Sequence, residues 1–340
     1  MTAEAKQIGV GYGGSLQPSA YGPLAAALDA HGFDVITVFG DLMMQPPAMV
    51  MQTMCAATDR IRLGSGCYTP WTRHPVEIAG EIAYLDNLSN GRIFMGIARG
   101  AWMDQLHIDS TRSIAAIRDT LGVVSAVLEA EGGGYQGSVY SIDAGTAPHY
   151  PVLRRAVPVM VGTWSPRLAH LAGEVADQVQ VGGSANPRMV PVMAGLVAPG
   201  EAAAGRAPGS VDIVLTAITV VDDDRDAARR RARTEVALSF QVIAGLDRTH
   251  SIEPGLLDRM EVLLRQHHYE EAGRLIPEDV LDDFAFCGTP GDLVDHTAQI
   301  YDAGARRVEF CSPLGLTPQR GVELLGTKVV PELRRMGYLA

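Results

Sequence analysis

Short runs of β-branched and apolar residues alternate along the chain with longer amphipathic stretches. The runs Ile8–Tyr12, Val35–Gly40, Ile61–Cys67, Arg92–Ala98, Val157–Gly162, Gln178–Val181, Val211–Val220 and Arg307–Ser312 predict eight strands. Stretches such as Tyr21–His31, Pro47–Thr58 and Pro75–Leu88 predict helices between them. Strands that alternate with helices pair in parallel through right-handed crossovers, and eight such units favour a closed (β/α)8 TIM barrel over an open doubly wound sheet. The spacing is uneven in two places. Asp222–Ile276 is charged, mainly helical and too long for one crossover, so it reads as an insertion before the last strand that covers the barrel mouth or helps a subunit interface. Glu131–Tyr150, with its run of three glycines, reads as a loop or short hairpin. Neither looks like a separate unit, and the whole of 1–340 is expected to form one domain.

Composition narrows the function classes. Of 340 residues, 47% are apolar, ample for a large core, and the formal net charge of −11 argues against a nucleic-acid surface. No run of eighteen apolar residues exists and the N-terminus lacks a signal pattern, so no membrane association and a cytoplasmic setting are expected. Cys55, Cys67, Cys287 and Cys311 are scattered without a CxxC pair, which suggests neither a metal site nor a disulfide framework. The adjacent His267 and His268 in the insertion would point to different helix faces and make a poor metal pair.

A barrel gives the chemistry an address, because active sites of this fold gather on the loops after the strands. Gly64-Ser65-Gly66-Cys67-Tyr68-Thr69-Pro70 ends the third strand. Its glycines permit either a close approach to a flat ligand or a relieved bulge. Gly162-Thr163-Trp164-Ser165-Pro166 ends the fifth strand. Ser165 suits a helix N-cap and Pro166 the first helical position, so free N–H groups should face out, as a phosphate requires. A plain capped crossover is the other reading. Arg99, after the fourth strand, suits a phosphate, an acidic substrate or a solvated rim. Asp104, His107 and Asp109 follow it as an ionisable group. Asp41 can contact a cofactor or cap the next segment. Trp71 and Trp164 are candidate apolar walls for substrate. The stripe Met43, Met44, Met49, Met51 and Met54 reads as core packing.

Together these segments resemble the bacterial-luciferase-like superfamily, and within it the deazaflavin-dependent branch typified by methylenetetrahydromethanopterin reductase. The resemblance is carried by Arg62–Pro70 with Arg73-His74-Pro75, by Leu85–Arg92 leading to Gly96-Ile97, by Leu171–Asp177, and by Cys287-Gly288-Thr289-Pro290, Ala303-Gly304, Ser312–Gly315 and Leu325-Gly326. It implies a barrel that is usually dimeric and a deazaflavin, coenzyme F420, with FMN as the alternative. It also implies that Asp41 lies near the ring, that Gly66–Cys67 is a non-prolyl cis peptide against the ring face, and that Thr69 is a cofactor contact. Gly162, Thr163, Trp164 and Ser165 match the loop that holds the cofactor phosphate.

Three positions depart from the family. A glutamate tied to proton transfer in methanopterin enzymes falls at Gly11. An acid and a histidine of the sugar-phosphate dehydrogenases fall at Ala101 and Leu42. The expected activity is therefore F420-dependent hydride transfer to or from a small organic substrate, with the substrate unassigned. Tyr12, Tyr68, Arg99, Asp104 and His107 are the candidates for a proton relay, and Trp71 for substrate contact. The alternatives are an FMN-dependent luciferase-like monooxygenase and a non-catalytic flavin-binding member of the family.

Overall fold

A computed structural model describes residues 5–340 apart from 251 and 254. The first half alternates regularly: β1 (Gln7–Gly13), α1 (Pro18–Ala30), β2 (Val35–Phe39), α2 (Pro47–Cys55), β3 (Arg62–Ser65), α3 (Pro75–Leu88), β4 (Ile93–Ala98) and α4 (Ser113–Glu129). A small antiparallel hairpin, β5 (Tyr135–Gln136) and β6 (Ser141–Ile142), follows within the segment read as a loop or hairpin. Then come β7 (Val159–Gly162), α5 (Pro166–Val175), β8 (Gln178–Gly182), α6 (Met189–Ala203) and β9 (Asp212–Val221). Helices α7 (Arg225–Ile243), α8 (Leu256–Arg265), α9 (Tyr269–Arg274) and α10 (Glu278–Phe284) form the insertion. The chain finishes with β10 (Ala285–Gly288), α11 (Pro290–Asp302), β11 (Arg307–Gly315), α12 (Pro318–Leu324) and α13 (Val330–Arg335).

Strands β1, β2, β3, β4, β7, β8, β9 and β11 pair in parallel, and β9 closes the ring by bonding both β8 and β11. The eight runs read from the sequence are these eight strands, and the fold is a (β/α)8 barrel. Local chemistry explains the crossovers. Pro75 opens α3 beneath His74, whose Nδ1 accepts from the Val76 N–H at 3.3 Å. Thr289 and Asp292 close a capping box on α11.

The insertion differs from its expected form. It does not lead straight to the last strand, because β10 intervenes and pairs with Ile218–Val221, the part of β9 that lies beyond its pairing with β8. Helices α7, α8 and α10 bury a second apolar cluster around Phe240, Met260 and Phe284. His267 and His268 fall in the turn between α8 and α9 rather than within a helix. Among the described residues, no helix is long and apolar enough to cross a membrane.

The barrel interior is polar on its lower half. Arg307 and Glu309 are fully buried and ion-paired at 2.7 Å. Thr37 Oγ1 (2.7 Å) and Gln180 Nε2 (3.0 Å) donate to the Glu309 carboxylate, while Arg307 donates to Gln178 Oε1 at 2.8 Å and stacks on Phe94. Phe94 fits because position 64 is glycine: a Cβ there would sit 2.3 Å from its ring.

Candidate active site

Above this interior, the loops after β2, β3, β4, β7 and β8 surround a cavity of about 1190 Å³, closed on one side by the insertion. Ligand pockets typically hold roughly 300–1,000 Å³, so this one has room for a large cofactor and a second molecule.

The β3 loop forms one wall. Gly66 N–H bonds Val38 O (2.7 Å) and Tyr68 N–H bonds Gly96 O (2.8 Å), which pins the segment between its neighbours. The Gly66–Cys67 peptide is cis, as the resemblance implied. A Cβ at Gly40 would lie 2.4 Å from Cys67 O, and one at Gly162 2.9 Å from its Sγ, so glycines on both sides let the bulge sit where it does. Burial, and then the nearby Asp41 carboxylate, push the Cys67 thiol up to about 12, so it stays protonated. Thr69 Oγ1 donates to Arg99 O at 3.1 Å and Trp71 Nε1 to the same carbonyl at 3.0 Å. The Arg99 backbone is thereby fixed while its side chain extends exposed along the cavity.

The β7 loop, two strands along the ring, continues this wall, with Gly162 against the Cys67 side chain. Thr163 N–H bonds Gln180 O (2.9 Å), and Trp164 Nε1 donates to Gly182 O (2.8 Å). Ser165 holds the N-cap position of α5, but its hydroxyl caps nothing. Instead Thr163 Oγ1 accepts from the Ser165 N–H at 2.9 Å. The expected serine cap is corrected: the threonine shapes the turn, and the first-turn N–H groups of α5 face the cavity uncapped. Asp41 does not cap α2, whose N-cap position is Pro46. Its carboxyl lies on the wall, where burial raises its pKa above the usual carboxylate range even though water reaches it through the mouth.

Of the residues singled out in the sequence, Asp41, Gly66, Cys67, Tyr68, Thr69, Arg99, Gly162, Thr163, Trp164 and Ser165 all line this cavity. Tyr12, Trp71, Asp104 and His107 do not. Tyr12 is buried in the core, and Asp104 and His107 are exposed around a short 3-10 turn outside the cavity. Tyr68 donates its hydroxyl to Glu81 at 3.0 Å, and burial together with that carboxylate raises its pKa well above the tyrosine range. Of the methionine stripe only Met51 and Met54 pack in the core. Met49 is exposed, as are Met43 and Met44, which lie on the cavity mouth. Sequence reasoning missed Gln180 and the insertion residues Val242, Ile243, Leu246 and Arg248, which reach the cavity from distant parts of the chain. Gly11 has no room for the missing glutamate, since a Cβ there would meet the Phe39 ring at 2.5 Å and Cys311 Sγ at 2.8 Å. Leu42 and Ala101 both line the cavity as apolar residues.

A closed parallel ring of strands with a cavity at their C-terminal ends defines the chain as a (β/α)8 barrel whose cavity lies where active sites of that fold usually sit. Residues 6–307 match the luciferase-like monooxygenase family, and the chain belongs to it. It is 26% identical over 319 residues to a 5,10-methylenetetrahydromethanopterin reductase of Methanolobus tindarius, covering 90% of this chain and 94% of that protein. It is 26% identical over 336 residues to an F420-dependent glucose-6-phosphate dehydrogenase of Nakamurella multipartita, covering 94% of each. The structure of the coenzyme F420 dependent tetrahydromethanopterin reductase from Methanopyrus kandleri superposes with a TM-score of 0.88 at 23% identity, over 96% of this chain and 99% of that one.

Proposed function

We propose that this chain is an F420-dependent oxidoreductase that transfers hydride between the deazaflavin and a small organic substrate. The observation that carries the reading is the uncapped N-terminus of α5 opening into the cavity beside the Cys67 bulge, in a chain similar over nearly its whole length to F420-dependent enzymes. When bound, the deazaflavin supplies a ring carbon that carries a hydride, a two-electron chemistry that leaves the protein to bind, orient and manage protons.

The residues present fit such a group. The first-turn N–H groups of α5, with the helix dipole behind them, suit a phosphate, and Thr163 holds that turn in shape. Gly66, Cys67 and Gly162 offer flat, side-chain-poor walls for a ring, and the Cys67 thiol, kept protonated, adds no charge beneath it. Asp41, with its raised pKa, can hold a proton at its carboxyl oxygens closer to neutral pH than an ordinary aspartate. Tyr68 is committed to Glu81 and serves the wall. Arg99 keeps a free side chain in the cavity, where a guanidinium offers a fixed positive charge for an anion rather than a proton relay. Trp164, its indole nitrogen anchored to Gly182, is a wall for substrate. The reading includes residues 1–340 as one domain, because α7 packs on both β9 and β10. It also includes a homodimer, supported by the family resemblance, in the cytoplasmic setting expected from the sequence.

Titration of the purified chain with F420 and with FMN, followed by quenching of protein fluorescence, tests the proposal. Saturable binding of F420 that FMN does not displace is expected. Tight FMN binding without F420 binding would replace this reading by a flavin-dependent monooxygenase.

A further inference from the structure

The charge lining the cavity runs against that of the chain. Six arginines and two aspartates line it, with no lysine or glutamate, in a protein of net charge −11. Asp119 is spent on Tyr135 Oη (3.1 Å) and the Val139 and Tyr140 N–H groups (2.6 and 3.3 Å). Arg73 and Arg118 are neutralised by Glu81 and Glu174. Four guanidinium groups then have no carboxylate partner among the described residues: Arg99, Arg112, Arg167 and Arg248. Arg112 donates to a carbonyl, Ser138 O, at 3.1 Å.

These arginines divide by position. Arg167 lies in the first turn of α5, beside the site proposed for the cofactor phosphate. Arg99 and Arg248 come from separate elements, the β4 loop and the insertion, and both are held by their backbones rather than by their charges. Arg99 O accepts from Thr69 and Trp71. Arg248 sits between two fixed neighbours: buried Asp247 accepts from Asn186 Nδ2 (3.0 Å) and from the N–H and hydroxyl of Thr249 (both 2.8 Å). Asn186 also donates to Thr249 Oγ1 at 2.7 Å, and it belongs to the segment after β8. The latch thus ties the insertion to the barrel rim and sets Arg248 on the cavity wall. The mouth also carries exposed apolar side chains, Met43 and Met44 on one side and Val242 and Leu246 on the other. Exposed apolar groups beside unpaired cations select a ligand that satisfies both.

We propose that the substrate of this site is an amphipathic organic anion, a carboxylate or phosphate ester with an apolar body, whose charged end is held by Arg99 and Arg248. The inference rests on the redox reading of the cavity and gives it a substrate class. A neutral ligand would leave both cations without a counterion and gain nothing from the latch.

Calorimetric titration of the F420-loaded full chain with octanoate, octyl phosphate and 1-octanol tests this at low and high salt. At least one anion is expected to bind roughly tenfold or more tighter than the alcohol, an advantage that shrinks with added salt. The stronger anion identifies the headgroup. Arg99→Gln and Arg248→Gln are each expected to weaken the anion roughly tenfold, leaving octanol and F420 affinity within twofold. Arg274→Gln, an equal charge change on exposed α9, should alter neither. Octanol binding as tightly as both anions would overturn the proposal, and so would no binding of any probe. Loss of F420 affinity in the two variants with unchanged anion binding would also overturn it, since the arginines would then serve the cofactor. Failure of the wild-type chain to bind F420 at all is a separate result, and it counts against the redox reading instead.

Discussion

Arg307 and Glu309 sit inside the barrel with no solvent exposure, and Thr37, Gln178, Gln180 and Phe94 surround them with matched donors, acceptors and a ring face. On the rim above, Arg99 and Arg248 line the cavity and, among the described residues, neither is ion-paired with a carboxylate. Both regions belong to one barrel, yet the lower charges are consumed by each other and the upper ones are left over. Burying a charge is tolerable only when it is paired and hydrogen-bonded, so each of these two depends on the other, Arg307 Nε through the ion pair alone. An exposed rim charge costs little to leave open, and that is where a protein can reserve binding capacity for a ligand. Gln180 connects the two regions: it donates to Glu309 below it and lines the cavity above.

Removal of Glu309 breaks this contrast most severely. Glu309→Ala strands a buried guanidinium, and a loss of roughly 3–5 kcal/mol in unfolding free energy is expected by denaturant titration. Arg99→Gln, by contrast, should stay within about 0.5 kcal/mol of the parent. Comparable losses in the two would erase the distinction between interior and rim. Ser165→Glu comes next. A new carboxylate at the mouth of α5 repels a phosphate held there, and F420 affinity is expected to fall roughly tenfold, with little change in stability. Unchanged affinity would remove the β7 loop from the site. The smallest effect concerns Asp41. Its folded pKa lies above the unfolded one, so the fold holds its proton more tightly. The stability this contributes is complete below the ordinary aspartate range and is lost as pH rises through the raised value. Asp41→Asn should flatten the stability profile in that window only, by a small amount because water reaches the group.

The eight ring strands were legible because buried parallel strands are short, dense runs of Val, Ile and Leu, a pattern that survives without tertiary information. β10 was not. Ala285–Gly288 is four residues long and pairs only with the upper end of β9, so its signal merges with the helices before it. The β7 loop and the start of α5 were readable from Gly162 and Pro166, but the division of labour between Thr163 and Ser165 depends on a turn geometry that residue types do not specify. Arg307 and Glu309 carried a signal that went unused: charges two apart in a strand share a face, and here that face is the barrel interior. Cover of the mouth was one of the two places expected for the insertion, but which of its residues reach the cavity was not readable, because the contacts that set Arg248 there join Asn186 to Asp247 across 61 positions. The methionines misled for a related reason. Their spacing suggested a packed face, and only the fold reveals that Met43 and Met44 precede α2 on the loop at the mouth.

Hydrogen–deuterium exchange of the full chain, with and without saturating F420, reads out where the cofactor sits. Slowed exchange is expected at the amides of the β3 and β7 loops, Cys67–Thr69 and Thr163–Leu168, with the buried lower strands unchanged. Saturable binding that leaves both loops exchanging at their free rates would place the cofactor away from these loops and overturn the assignment.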